Sequence, residues 1–231
     1  MATMRAAQVP RPRPRAGRRI GTVPGVVRVK TQALTYQFKV ILNGIEPEVW
    51  RRIVVPASYS FWDLHVAIQD SMGWLDYHLH SFRIPHPDTG RTCPIGIPDD
   101  DAFRDDAGFL PGWEIPLAEY FRQPGDRADY EYDFGDGWEH EVILERVSAR
   151  VPKAKYPACL DGARACPPED CGGIPGYEQM LKVLHDPTHE EHESMLQWVG
   201  GGYDPAEFDP TKVRFDGPKK RWRIAFGGQE G

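Results

Sequence analysis

The stretch Tyr130–Glu145, YEYDFGDGWEHEVILE, leaves the backbone little choice. Tyr130, Tyr132 and Phe134 alternate with Glu131 and Asp133. Trp138, His140, Val142 and Leu144 alternate with Glu139, Glu141, Ile143 and Glu145. A period of two is that of a strand, because successive side chains point to opposite faces. Gly135-Asp136-Gly137 supplies turn residues between the two runs. The stretch predicts a β-hairpin with an aromatic and aliphatic face turned to a core and an acidic face turned to water.

The same pattern recurs upstream. Tyr36, Phe38, Val40 and Leu42 share one face, Asn43-Gly44 marks a turn, and Val49–Val55 reads as a second strand ended by Pro56. Ser60 is a candidate N-cap with Asp63 three residues on, and Gly73 a stop, so a helix is expected from Ser60 to Met72. Its buried stripe would be Phe61, Leu64, His65, Ile68 and Met72. A strand through WLDYHLHSFRI would put His78, His80 and Phe82 on one face. Residues 85–112 read as a long Pro/Gly/Asp loop, followed by a short helical turn over Leu117–Phe121. After Val147 another loop holds three of the four cysteines. Helices are expected over Gly176–His185 and, restarted by Asp186-Pro187, up to about Val199 with His192, Met195, Leu196 and Val199 inward. YDPAEFDP reads as one helical turn. WRIAF near the end reads as a strand or a trailing segment.

Charge divides the chain. Residues 1–30 carry eight basic residues and no acid, so the net charge of −6 hides a body of −14. Such a body is a poor general binder of nucleic acid. Arg11, Arg13, Arg15, Arg18 and Arg19, interleaved with proline, suit electrostatic contact with nucleic acid or an acidic partner, although a solvated tail is the plainer reading. Residues 1–33 therefore read as a disordered basic arm, 34–210 as one domain and 211–231 as an extension. Four cysteines are too few for a disulfide scaffold, and no apolar run spans a bilayer, so a reducing cytoplasmic setting is expected and no membrane partner.

Three groups can carry chemistry. Cys159, Cys166 and Cys171 are spaced C-x6-C-x4-C and, with His140 or a helix histidine as fourth ligand, suit a structural zinc ion; thiols packed as small apolar groups are the alternative. A second cluster, His78, His80, Asp133, Asp136, Trp138 and His140, surrounds the central hairpin and suits a metal or acid–base chemistry, against core histidines and turn or surface carboxylates. Nucleophile motifs are absent: no serine sits in G-x-S-x-G, no phosphate-binding glycine loop exists, and His189-Glu190-Glu191-His192 has the wrong spacing for HExxH.

YQFKVILNGIEPEVWRRIVVP, SMGWLDYHLHSFRI, YEYDFGDGWEHEVILE and CPPEDCGGIPGYEQML with DPTHEEHESMLQWVGGGYDPAEFD together resemble the plasmid pRi ORF-three-like family, whose members are often labelled insertion-element passenger or TnpR-like proteins. The resemblance covers about residues 34–210. It implies an α+β fold, a mixed or antiparallel sheet in a roll-like arrangement with helices packed on it and a helical C-terminal part. It implies no activity that can be carried over. The resolvase label lacks its chemistry here, since neither an activated serine among arginines nor a recognition helix is evident. Two functions are therefore expected to compete. One is a non-catalytic binding or adaptor module, engaging a protein or, through the arm, nucleic acid. The other is a hydrolase-like metal enzyme with a His/Asp or Cys/His site beside the hairpin.

Overall fold

A computed structural model describes residues 33–98 and 108–227. An eight-stranded open sheet runs in the order β5-β4-β3-β6-β7-β1-β2-β8. Its strands are β1 (Leu34–Leu42), β2 (Val49–Pro56), β3 (His80–Pro85), β4 (Thr92–Gly96), β5 (Leu110–Pro111), β6 (Arg127–Tyr132), β7 (Trp138–Ala149) and β8 (Ala158–Ala163). Every neighbouring pair is antiparallel except β4 and β5. Among the described residues five α-helices accompany it: α1 (Phe61–Met72), α2 (Leu117–Tyr120), α3 (Gly173–His185), α4 (His192–Trp198) and α5 (Pro218–Phe226). The class is the expected α+β, with a mixed sheet and a helical C-terminal part. No helix among the described residues is long and apolar enough to cross a membrane.

The core follows from the alternation. Tyr36, Phe38, Val40 and Leu42 of β1, Tyr130 and Tyr132 of β6, and Trp138, His140, Val142 and Leu144 of β7 are all buried. α1 lies over this face. Ser60 caps it as expected: its hydroxyl accepts from the Asp63 N–H, and the Asp63 carboxylate accepts from the Ser60 N–H. Gly73 ends it at φ 91°, a left-handed conformation that costs glycine nothing. Phe61 meets Phe82 edge-on with ring centres 5.2 Å apart, and Phe38 meets Phe121 at 4.9 Å. Ten of the twelve α1 residues are buried, not one stripe. The outer face is covered by the C-terminal segment, whose Pro218 carbonyl accepts from the Trp62 indole and whose Arg221 pairs with Asp70.

Several expectations are corrected. WRIAF lies in α5, a helix started by Pro218 at its first turn. The 85–112 region holds β4 and β5, strands too short for a periodic signal. Cys159 lies on β8, which completes the sheet against β2. Asp186 does not cap a helix; its carboxylate accepts from the Thr188 N–H and hydroxyl, and α4 begins only at His192. The face named for it is right, but it is half-buried. In YDPAEFDP the helical turn comes only at the end, a 3₁₀ turn over Pro210–Lys212. Phe134 leaves the hairpin face, because β6 ends at Tyr132.

Gly176, in the first turn of α3, has room for no side chain: a Cβ there would lie 1.9 Å from the Cys171 carbonyl oxygen. Gly176→Ala is expected to lower the unfolding free energy by about 1–3 kcal/mol, measured as a fall in the denaturant midpoint at unchanged slope.

Candidate functional site

Three connections meet at one end of the sheet: the segment after α1 (residues 73–79), the turn between β6 and β7 (133–137), and the segment before α3 (164–172). The Asp133 N–H donates to the Leu79 carbonyl at 3.0 Å. The Trp74 indole donates to the Pro167 carbonyl at 2.9 Å, and the Leu75 N–H to the Glu169 carboxylate at 2.6 Å. The Gly172 N–H donates to the Asp136 carboxylate at 3.1 Å. The Tyr132 hydroxyl accepts from the Tyr77 N–H and donates to Glu169 at 3.0 Å. Each connection also places one aspartate in the left-handed region, Asp76 at φ 63°, Asp133 at 55° and Asp170 at 56°. Non-glycine residues take that conformation rarely, and such strain gathers at functional sites.

His78 stands where the three meet. Its Nε2 is 2.8 Å from Asp170 Oδ1 and 3.5 Å from Asp133 Oδ2. One nitrogen and two carboxylate oxygens, one from each connection, lie within 4.8 Å of one another. Asp133 is buried and spends its other oxygen on the N–H groups of Gly135 and Asp136. The Asp170 side chain is 65% exposed and the His78 side chain 30%, so the group opens to solvent. Burial pushes the Glu169 carboxyl up from its ordinary value, against the hydrogen bonds from Leu75 and Tyr132.

The cluster expected around the hairpin is thus divided. His78 and Asp133 come together, and Asp136 is close by chain but braces α3. His78 is not on a strand with His80, because β3 begins at His80. His80, His140 and Trp138 are core residues, each 1% exposed. His80 stacks on His65 of α1 with ring centres 3.4 Å apart. His65 bonds the Tyr130 hydroxyl through Nδ1 at 2.9 Å and Asp76 through Nε2 at 2.8 Å. Gln69 donates to the same hydroxyl at 2.9 Å. Burial, and the neighbouring His65, hold His80 well below the ordinary histidine value. Burial lowers His140 to about 4, against hydrogen bonds with the backbone at Tyr130 and Trp138.

Cys159, Cys166, Cys171 and His140 do not converge as a ligand set. Cys159 is on β8, and Cys166 and Cys171 are in the segment before α3. The buried Arg51 guanidinium is close enough to Cys159 and Cys166 to interact with both. It donates to the carbonyls of Ser71, Trp50 and Ala163 and lies 3.7 Å from the Phe208 ring centre. Burial raises all three thiols, Cys171 to about 12. Asp170, Glu169 and His65 escaped the sequence reading. The first two lie in CPPEDCGG, where the cysteines drew attention, and His65 reads as one more residue of a helix stripe. The arm arginines lie outside the described residues.

The family described as plasmid pRiA4b ORF-3-like protein matches residues 34–212. A relative described as uncharacterized protein y4hQ, from Sinorhizobium fredii, is 38% identical over 194 residues, covering 82% of this chain and 95% of the relative. The crystal structure of a protein of unknown function from Methanosarcina mazei Go1 is similar, with 43% identity and a TM-score of 0.71, covering 79% of this chain and 98% of that one.

The buried histidines set a pH dependence. The unfolded chain takes up protons near the ordinary value of 6.5, whereas folded His80 and His140 do not. Stability from this source is complete above that value and is lost as the pH falls toward about 4. Each histidine contributes a slope of about 1.4 kcal/mol per pH unit. Denaturant melts between pH 6.5 and 5 are expected to lose one histidine's share of the slope in His140→Leu. An unaltered slope would show that His140 titrates alike in both states.

Proposed function

We propose a non-catalytic binding role for this chain, which belongs to the plasmid pRiA4b ORF-3-like family. The observation that carries the reading is the sealing of the central histidines. A general base must come within hydrogen-bond reach of a substrate proton. His65, His80 and His140 are at most 1% exposed, and two of them bond groups of the fold itself. The body's charge of −14 leaves attraction to a polyanion to the arm, with Arg11, Arg13, Arg15, Arg18 and Arg19 as the contacts. An adaptor of this kind, engaging nucleic acid through the arm and a protein through the body, fits a passenger of mobile elements. The family's plasmid description is in keeping with that setting.

The full chain is expected to bind duplex DNA with an affinity that falls steeply with salt. Replacing the five arginines by alanine should flatten the log–log slope by about four to five units. Fluorescence anisotropy across a salt series measures this; equal slopes for the two chains would remove the arm as the contact.

A second reading, a hydrolase-like metal enzyme, is favoured by the convergence of His78, Asp133 and Asp170. An imidazole with two carboxylates suits a divalent transition metal, and the exposed side leaves a coordination position for water. Titration calorimetry with Zn²⁺ and Mn²⁺ is expected to give one site per chain, abolished in His78→Ala. Heats that persist in that variant would place the metal elsewhere.

A further inference from the structure

The fold builds a recess from residues that take no part in the His78, Asp133 and Asp170 group. Its cavity of about 360 Å³ lies among the start of α1, the connection between β5 and α2, and α5. Trp62, Trp113 and Trp222 line it, with Asp63, Glu114 and Lys219 as its charged groups. The rings hold one another: Trp113 meets Trp222 at 4.7 Å between centres, Trp62 meets Trp222 at 5.5 Å, and Phe226 backs Trp222 at 4.2 Å. Asp63 is committed to the α1 cap. Glu114 is exposed and makes no ion pair with any described residue. Rigid indole faces beside a free carboxylate suit a ligand that is cationic and partly apolar.

We propose that this recess docks the chain's own Pro/Arg segment, residues 10–19 (PRPRPRAGRR). Three observations converge on it. The described chain begins beside the recess: the Leu34 carbonyl accepts from the Ala57 N–H at 3.0 Å, and the next residue, Ser58, lines the cavity. The tether is long enough, since the fourteen peptide links from Arg19 to Ala33 span at most roughly 50 Å. The chemistry is complementary. Prolines, with φ already fixed, lose little entropy when they settle in an aromatic groove. Arginines stack on indole faces and pair with carboxylates such as Glu114. Lys219 opposes the charge, so ring faces and prolines hold the segment as much as Glu114 does. The cavity takes a short part of it rather than the whole.

This inference does not depend on the nucleic-acid reading, and its test contains no nucleic acid. Trypsin cuts after Arg15, Arg18 and Arg19, the segment's arginines that are not followed by proline, would be followed by mass spectrometry in the full chain and in two variants. Trp113→Ala removes a ring face, and Glu114→Lys reverses an exposed charge without touching the core. The arm is expected to be cut roughly tenfold faster in both variants than in the wild type. Wild-type protection should weaken with salt and be independent of protein concentration. Equal rates in wild type and Glu114→Lys would overturn the proposal. Protection that grows with protein concentration would also overturn it, and would assign the recess to the arm of a second copy.

Discussion

The Tyr130 hydroxyl is buried at the centre of the sheet, and a buried hydroxyl must find a partner or cost the fold its hydration. It finds His65 and Gln69, which fixes α1 on the sheet. His65 then needs Asp76, which holds the segment after α1 in its left-handed turn. The second Asp76 oxygen lies 3.4 Å from Arg221, and Arg221 pairs with Asp70 at 2.7 Å and Asp216 at 3.1 Å. One polar run thus ties the core strand β6 to α1 and to α5, the helix beyond the family match. Buried ion pairs contribute little net stability against an apolar alternative, but removing one partner leaves a charge uncompensated. The run therefore fixes where the pieces sit more than how strongly they hold.

The same run separates the dry interior from the exposed loops around His78. Burial keeps His80 and His140 below their ordinary range, and both are enclosed by aromatic rings. His78 escapes because β3 begins two residues after it, leaving its ring at the rim with Asp133 and Asp170. The tryptophan recess depends on the run as well. Arg221 holds α5 against α1, and Trp222 beside it closes the recess wall.

Arg51 shows how a tertiary contact can overrule a ligand pattern. Three thiols within thirteen residues suggest convergence on an ion. In the fold Cys159 belongs to an edge strand, and a guanidinium satisfied by three backbone carbonyls sits close to it and to Cys166. Spacing along the chain carries no information about which strand a loop residue will join. VWRR likewise reads as an ordinary strand end, with no sign that Arg51 is buried and Arg52 is not.

What the sequence determined by itself is the local structure with a strong period or a chemical punctuation mark. Both hairpins, the Ser60 cap and the Gly73 stop of α1 follow from side-chain alternation and capping, which act over a few residues. Two of the three rim residues were legible too, because His78 and Asp133 flank recognisable strands. The tertiary structure alone decided the rest. It covered the second face of α1, turned WRIAF into a helix on Trp62, recruited Asp170 to His78, and closed three tryptophans from distant segments around one recess. Those outcomes depend on contacts between residues scores of positions apart. A chain's local preferences are silent about them, since each becomes favourable only after the sheet has placed its partners within reach.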